Sequence, residues 1–202
     1  MADKMSFEQF KGIVKDHSIN VLRDDGLYRH MVCAAPGTMM ESFQIITWPG
    51  YLCIFGDMGT YVFHRIDDMF GFFRDKECKN RINASYWHEK LEAIDRHSKS
   101  KEFDIDKFKD NVKEYITSTL DVKKYEDIDD DKKEEARHLL EVGDEYEAVT
   151  AIRDFNSEWL SFDDFWDSNY ESYTCHYIFA CYAIVWAIER YDNTKIGGSN
   201  GN

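Results

Sequence analysis

The first apolar residues of the chain recur at helical spacing: Phe7, Phe10, Ile13 and Val14 form one stripe. Ser6 and Gln9 stand as a capping-box pair and Met5 as the staple residue, so a helix is predicted from Ser6 to near His17. From residue 19 to residue 65 the pattern changes to short runs rich in β-branched and aromatic residues, at 27–34, 42–48, 51–55 and 60–65. Turn residues separate these runs: Pro36-Gly37, Pro49-Gly50 and Gly56-Asp57-Met58-Gly59. Pro49-Gly50 suits a type II turn, where proline fixes φ and the following glycine accepts a positive φ. Short strands joined by tight turns pair as antiparallel neighbours, which predicts a meander of four to five strands.

After Arg65 the helical period returns. Asp67 is placed to cap a short helix through Met69, Phe70, Phe72 and Phe73, and a basic loop follows with Lys76, Lys79 and Arg81. Asn83 caps a helix with Tyr86, Trp87, Leu91 and Ile94 inward, and Asp104 caps one with the stripe Phe108, Val112, Tyr115, Ile116 and Thr119. Residues 125–131 form an acidic connector. Two more helical patterns surround Ala136-Leu139-Leu140 and Tyr146-Val149-Ile152. Phe155, Trp159, Phe162, Trp166 and Tyr173 then repeat as one buried helical stripe, and Ser161 with Asp164 forms a capping box that opens a short aromatic helix through Phe165 and Trp166. The last helix, about 172–191, is apolar nearly all round and belongs at the centre of the core. The expected fold is α+β: an N-terminal helix, an antiparallel sheet over 19–65, and a helical part over 66–192 built around a buried apolar helix. One domain over 1–196 and a flexible tail at 197–202 complete this reading.

With 43% apolar and 15% aromatic residues the chain is too hydrophobic to be disordered. No basic segment precedes an apolar stretch at the N-terminus, as a secretory signal would require. The longest apolar run, residues 173–188, is sixteen residues long, short of the roughly 20 that a membrane span needs. Five cysteines, an odd number with no CxxC pair, fit a reducing compartment, and the cytoplasm is expected.

Charge adds what periodicity does not. The formal net charge is −14, and residues 1–100 hold 14 acidic against 13 Lys and Arg, while residues 101–202 hold 25 against 12. A field of that sign repels nucleic acid and anionic membranes and attracts basic protein surfaces.

No catalytic constellation emerges. His88-Glu89 opens like a zinc-protease helix, but Glu92 stands where the second histidine belongs. Asp127, Asp129 and Asp131 have the opening spacing of a calcium loop, with Lys132 in place of its glycine and His138 in place of its glutamate. Cys175, His176 and Cys181 read as residues of a core helix. No metal and no cofactor are therefore expected. For a small anionic ligand such as a nucleotide, the candidate residues are Arg29, His30, Asp57, His64 and Arg65 on neighbouring strands. For a protein partner, the candidates are the carboxylates Asp129, Asp130, Asp131, Glu158, Asp163, Asp164, Asp167 and Glu171, set among aromatic anchors.

The strings Gly26-Leu27-Tyr28-Arg29-His30, Thr47-Trp48-Pro49-Gly50, Gly56-Asp57-Met58-Gly59-Thr60-Tyr61-Val62-Phe63, Ile82-Asn83-Ala84-Ser85-Tyr86-Trp87, His176-Tyr177-Ile178 and Ala183-Ile184-Val185-Trp186-Ala187-Ile188 go further as a set. Together they resemble a family of small bacteriophage and prophage proteins, over about residues 6–191. The resemblance carries no catalytic assignment. It implies an accessory phage gene acting on a host machine, as anti-CRISPR and anti-restriction proteins do, in the host bacterial cytoplasm. The leading expectation is thus an inhibitor that binds a basic host protein, such as a defence nuclease or effector complex, without binding nucleic acid or membrane itself. A nucleotide-binding protein or enzyme using the sheet face is the alternative, and a phage assembly component the third.

Overall fold

In the computed structural model, which describes residues 5–74, 82–163, 165 and 169–198, the N-terminal capping box is formed in full. Ser6 Oγ accepts from the Gln9 amide at 3.2 Å, and Gln9 Oε1 accepts from the Ser6 amide at 2.7 Å. This starts α1 (Phe7–Ile13). The chain then builds β1 (Ser18–Asp25), β2 (Tyr28–Ala34), β3 (Phe43–Trp48), β4 (Tyr51–Gly56) and β5 (Gly59–His64). Short helices α2 (Met69–Phe73) and α3 (Ala84–His88) lead to β6 (Leu91–Ile94). All six strands form one antiparallel sheet in sequence order. The architecture is α+β, a helix followed by a meander and a mainly helical remainder.

The sixth strand departs from the sequence reading, in which Leu91 and Ile94 continue a helix. The helix stops at His88 because the open edge of β5 takes up the next segment. Ile94 pairs with Tyr61 and Leu91 with Phe63, so three steps along β6 match two along β5. A bulge of this kind puts residues three apart on one face, the same spacing a helix gives. His88 and Glu92 therefore do not share a helix face. A smaller difference is the cap of α2, where Asp68 and not Asp67 accepts from the Phe70 amide. The basic loop at Lys76, Lys79 and Arg81, and Cys78, lie outside the described residues.

The chain divides into two compact units, 1–100 with 173–202, and 101–172. In the first, alternation sends Met31, Cys33, Phe43, Ile45, Leu52, Ile54, Tyr61 and Phe63 to one sheet face, where all are buried. That face is covered by α7 (Cys175–Gly198), which contributes an unbroken buried run from Tyr177 to Ile184. Thr174 starts α7, its hydroxyl accepting from the Tyr177 amide. Phe10 of α1 packs edge-on against Phe179 and beside Tyr182. Burial of each such side chain contributes about 1.5–3 kcal/mol. The Pro49-Gly50 turn holds Gly50 at φ +85°, a conformation that costs glycine no steric strain, and the Gly50 amide donates to the Asp67 carbonyl. Gly56 meets a different constraint: a Cβ there would overlap the Ser42 carbonyl oxygen and approach Phe43 Cα to 2.8 Å.

The second unit contains β7 (Lys101–Phe103), α4 (Ile105–Thr119), a 3₁₀ turn (Tyr125–Asp127), α5 (Asp130–Leu140) and α6 (Glu145–Asp154), and β7 pairs with β8 (Glu171–Tyr173). Asp104, Asp129 and Asp144 cap the three helices, each carboxylate accepting an amide of the first turn. A second core gathers Phe108, Val112, Ile116, Leu139, Ile152 and Phe165. Over the described residues 155–163 the aromatic stripe does not form a helix. Phe155 is extended (φ −66°, ψ 125°) and ends α6, and the Ser157 hydroxyl accepts from the Trp159 amide in the irregular segment that follows. Aromatic packing orders that segment instead, with Phe162 5.4 Å from Phe155 and 5.2 Å from Tyr115 between ring centres. Tyr173 belongs to β8. Asp164, Trp166 and Asp167, with the expected Ser161–Asp164 capping box, lie outside the described residues.

Candidate partner-binding surface

The unit 101–172 holds 23 acidic residues against 10 Lys and Arg, while the rest of the chain holds 16 against 15. Every described carboxylate of this unit except Asp104 is exposed. Half of its basic side chains, Lys101, Lys107, Lys109, Lys132 and Lys133, are instead only partly exposed. Lys133 turns its ammonium onto the Glu126 carbonyl at 2.7 Å, Lys107 bonds the Glu171 carbonyl, and Lys132 lies 5.5 Å over the Trp159 ring. Long aliphatic stems favour such folding back. The asymmetry that sequence counts reveal is therefore sharpened at the surface.

The predicted carboxylates take distinct places on this unit. Asp129, Asp130, Asp131, Glu158, Asp163 and Glu171 are all exposed. Asp129 caps α5, Asp130 pairs with Lys133 at 3.3 Å, and Asp163 accepts from the Ser161 hydroxyl at 2.6 Å. Glu171 stands 3.9 Å from Lys101, a distance at which an exposed pair adds little. Glu158 and Asp131 have no side-chain hydrogen bond or ion pair among the described residues.

Between α5 and α6 the unit opens a groove of about 400 Å³. Val142, Thr150 and Ala151 line it, with Tyr146 standing 79% exposed beside them. His138, Glu141, Glu147 and Asp154 complete its lining. Glu147 is fixed by accepting from the Gly143 amide at 2.7 Å, and Asp154 by the Arg153 guanidinium, which holds its carboxyl below the ordinary value. The sequence pattern assigns Tyr146 and Val149 to the buried stripe of α6. Ala148 and Ile152 take that role, one turn apart, and Val149 is 40% exposed. The competing spacing 148–152 is the signal in the sequence for this groove.

The ligand candidates on the sheet are not gathered. Arg29 points to the core side, where its guanidinium donates to Asp68 at 2.8 Å and lies 4.4 Å over Phe70. His30 points to the opposite side and shares a 2.8 Å hydrogen bond with Gln44. Asp57, at the β4–β5 turn, accepts from the Glu41 amide at 2.6 Å. His64 and Arg65 stand at the other end of β5, with His64 against the Tyr51 ring. Strand alternation separates Arg29 from His30, and hairpin geometry separates Asp57 from His64, so the expected cluster does not form. Among the described residues no three His, Cys, Asp or Glu side chains stand close enough to share a metal ion, and no helix is long and apolar enough to cross a membrane. No family model matches the chain, and no curated protein or solved structure is significantly similar to it.

Proposed function

We propose that this chain is a binding protein whose unit 101–172 docks on a basic surface of another protein. The observation that carries the reading is the outward display of carboxylates on that unit while half its lysines and arginines are only partly exposed. The groove between α5 and α6 supplies what charge alone lacks, an apolar slot beside an exposed tyrosine for a side chain flanked by Lys or Arg. In the phage setting that the family resemblance implies, the partner is a bacterial defence nuclease or effector complex, and occupancy of its basic surface excludes nucleic acid. A nucleotide site on the sheet draws no support from side chains already committed to Asp68, Gln44 and the Glu41 amide.

Competition tests the reading. The partner captured by the tagged chain should be displaced by duplex DNA and by raised salt, since exposed charge pairs are screened. Reversing Glu158 and Asp163 should weaken capture several-fold without unfolding the chain. Capture indifferent to salt, to DNA and to both reversals would remove the proposal.

A further inference from the structure

Among the described residues two buried side-chain polar atoms stand without a hydrogen-bond partner, Arg29 Nε and His17 Nδ1. The first belongs to a guanidinium already joined to Asp68. The second has no such relief. His17 Nε2 lies 3.0 Å from the Glu41 carbonyl oxygen, which can only accept. The ring proton therefore sits on Nε2, and Nδ1 of the neutral ring is a bare acceptor. His17 is 5% exposed and nearly parallel to the Phe43 ring, and Nδ1 itself is shut off from water. A dry acceptor without a donor costs stability, and native proteins hold few of them. His17 also lines a cavity of about 590 Å³ where the end of α1 meets the β2–β3 loop. Cavities of roughly 300–1,000 Å³ take small molecules. Glu41, in the same lining, holds φ at +56°, a left-handed backbone that disfavours a side chain. Both of its peptide groups are clamped, the amide to Asp57 at 2.6 Å and the carbonyl to His17. Such conformations persist where the surroundings over-determine them, and they gather at binding sites.

We infer that this cavity binds a small primary amine, whose ammonium group donates to His17 Nδ1 and pairs with the Glu41 carboxylate. Three features of the lining select that chemistry. The unsatisfied Nδ1 requires a donor, which excludes ligands that only accept. The charged residues are Asp16 and Glu41 against Lys15, and the Lys15 ammonium stands 3.9 Å from Asp16. Glu41 is left with no ion pair among the described residues. An ammonium supplies both the donor and the counter-charge, and a charge-assisted bond is stronger than a neutral one. Ile13, Ala35 and Met40 add an apolar surface for the body that carries the amine. Met40 is unbranched and 72% exposed, so it can shift as the ligand seats and open the way to Nδ1. Every lining residue belongs to the unit 1–100 with 173–202, so the site draws nothing from the acidic unit or its partner.

Calorimetric titration of the full chain with benzylamine, benzyl alcohol and benzoate reads the outcome, since the three share one apolar body. Benzylamine is expected to bind, benzyl alcohol roughly tenfold more weakly for want of the charge, and benzoate not at all. Nitrogen NMR of the labelled imidazole should show the His17 Nδ1 resonance moving on addition of benzylamine while that of Nε2 holds. Glu41→Gln and His17→Gln should each weaken benzylamine binding by roughly five- to tenfold. His17→Gln keeps an N–H for the Glu41 carbonyl and lacks the Nδ1 acceptor. Gly12→Leu is a variant of another kind, because an added Cβ there meets nothing within 4 Å although Gly12 lines the cavity. The chain should stay folded by circular dichroism while the new side chain fills the site and abolishes binding. Benzylamine that does not bind overturns the inference. So does benzyl alcohol or benzoate binding as tightly, an Nδ1 resonance that stays in place, or affinity that survives both Glu41→Gln and Gly12→Leu.

Discussion

The guanidinium of Arg29 donates through Nη1 to Asp68 Oδ1 at 2.8 Å and through Nη2 to Oδ2 at 3.4 Å, joining β2 to the first turn of α2. The Asp68 carboxylate also accepts from the Phe70 amide, so one side chain serves as both ion partner and helix cap. Asp68→Ala removes both functions and leaves the buried arginine without its counter-charge. Asp68 itself is partly exposed, which moderates the loss. A destabilisation of about 2–3 kcal/mol is expected in urea unfolding. Asp68→Asn, which retains an acceptor for the cap, should cost less.

The same contact predicts an acid limb. Burial works to raise the Asp68 carboxyl, and the Arg29 hydrogen bond and charge override it and hold it below the ordinary value. Asp24 is held low chiefly by the Lys195 hydrogen bond, and then by that of Tyr191. Depressed carboxyls contribute stability above the unfolded value of about 3.9 and lose it as pH falls through their folded values. The urea midpoint should therefore stay level from neutrality to about pH 5 and fall below about pH 4. Asp68→Asn should flatten that fall.

Two glycines make opposite predictions. Gly56→Ala places a methyl into the Ser42 carbonyl and the Phe43 Cα, backbone atoms that cannot swing aside. It should cost about 1–3 kcal/mol. Gly12, exposed within α1, has no atom within 4 Å of an added Cβ. Gly12→Ala should raise stability by about 0.5–1 kcal/mol. Thermal midpoints moving the same way for both would contradict this account.

The two cores share no residue, so their failures should be separable. Phe108 is fully buried in the second core, its ring 5.7 Å from Phe165. Phe108→Ala should cost about 3–5 kcal/mol locally. Hydrogen exchange should show lost protection over 101–172, with the amides of β3 and β4 still protected.

Tyr146 separates binding from folding. At 79% exposure it supports little of the core, so Tyr146→Ala should move the thermal midpoint by no more than the equivalent of about 0.5 kcal/mol. Its effect on a Lys/Arg-rich peptide should be a several-fold weaker affinity by fluorescence anisotropy. Equal binding by both proteins would place the contact elsewhere on the acidic unit.

The sequence made β2–β5 legible because period-two alternation, Pro49-Gly50 and the glycine-bounded turn at 56–59 all agree, whereas β1, largely exposed, does not keep such an alternation of apolar and polar residues along its length. It misled at Leu91 and Ile94, where a bulge imitates a helical interval, and at 155–163, where aromatic spacing hides an irregular backbone. Both errors have one origin, since tertiary contacts decided segments whose local pattern was ambiguous. At the candidate surface, counting charges located the acidic unit. The groove escaped because Tyr146 and Ala148 offer rival stripes on α6, and packing alone chooses between them. The scatter of Arg29, His30, Asp57 and His64 could not be read without knowing which strand face each occupied.

The order of the elements also bears on how the polypeptide is born. All six strands of the main sheet pair with sequence neighbours, so the meander is complete by Ile94, whereas the helix that roofs its inner row begins at Cys175. A ribosome must therefore add residues 95–174 while Met31, Ile45, Leu52 and Phe63 stand without their roof. Nascent chains stalled in that interval are natural clients for a chaperone, and release after α7 emerges ends the exposure.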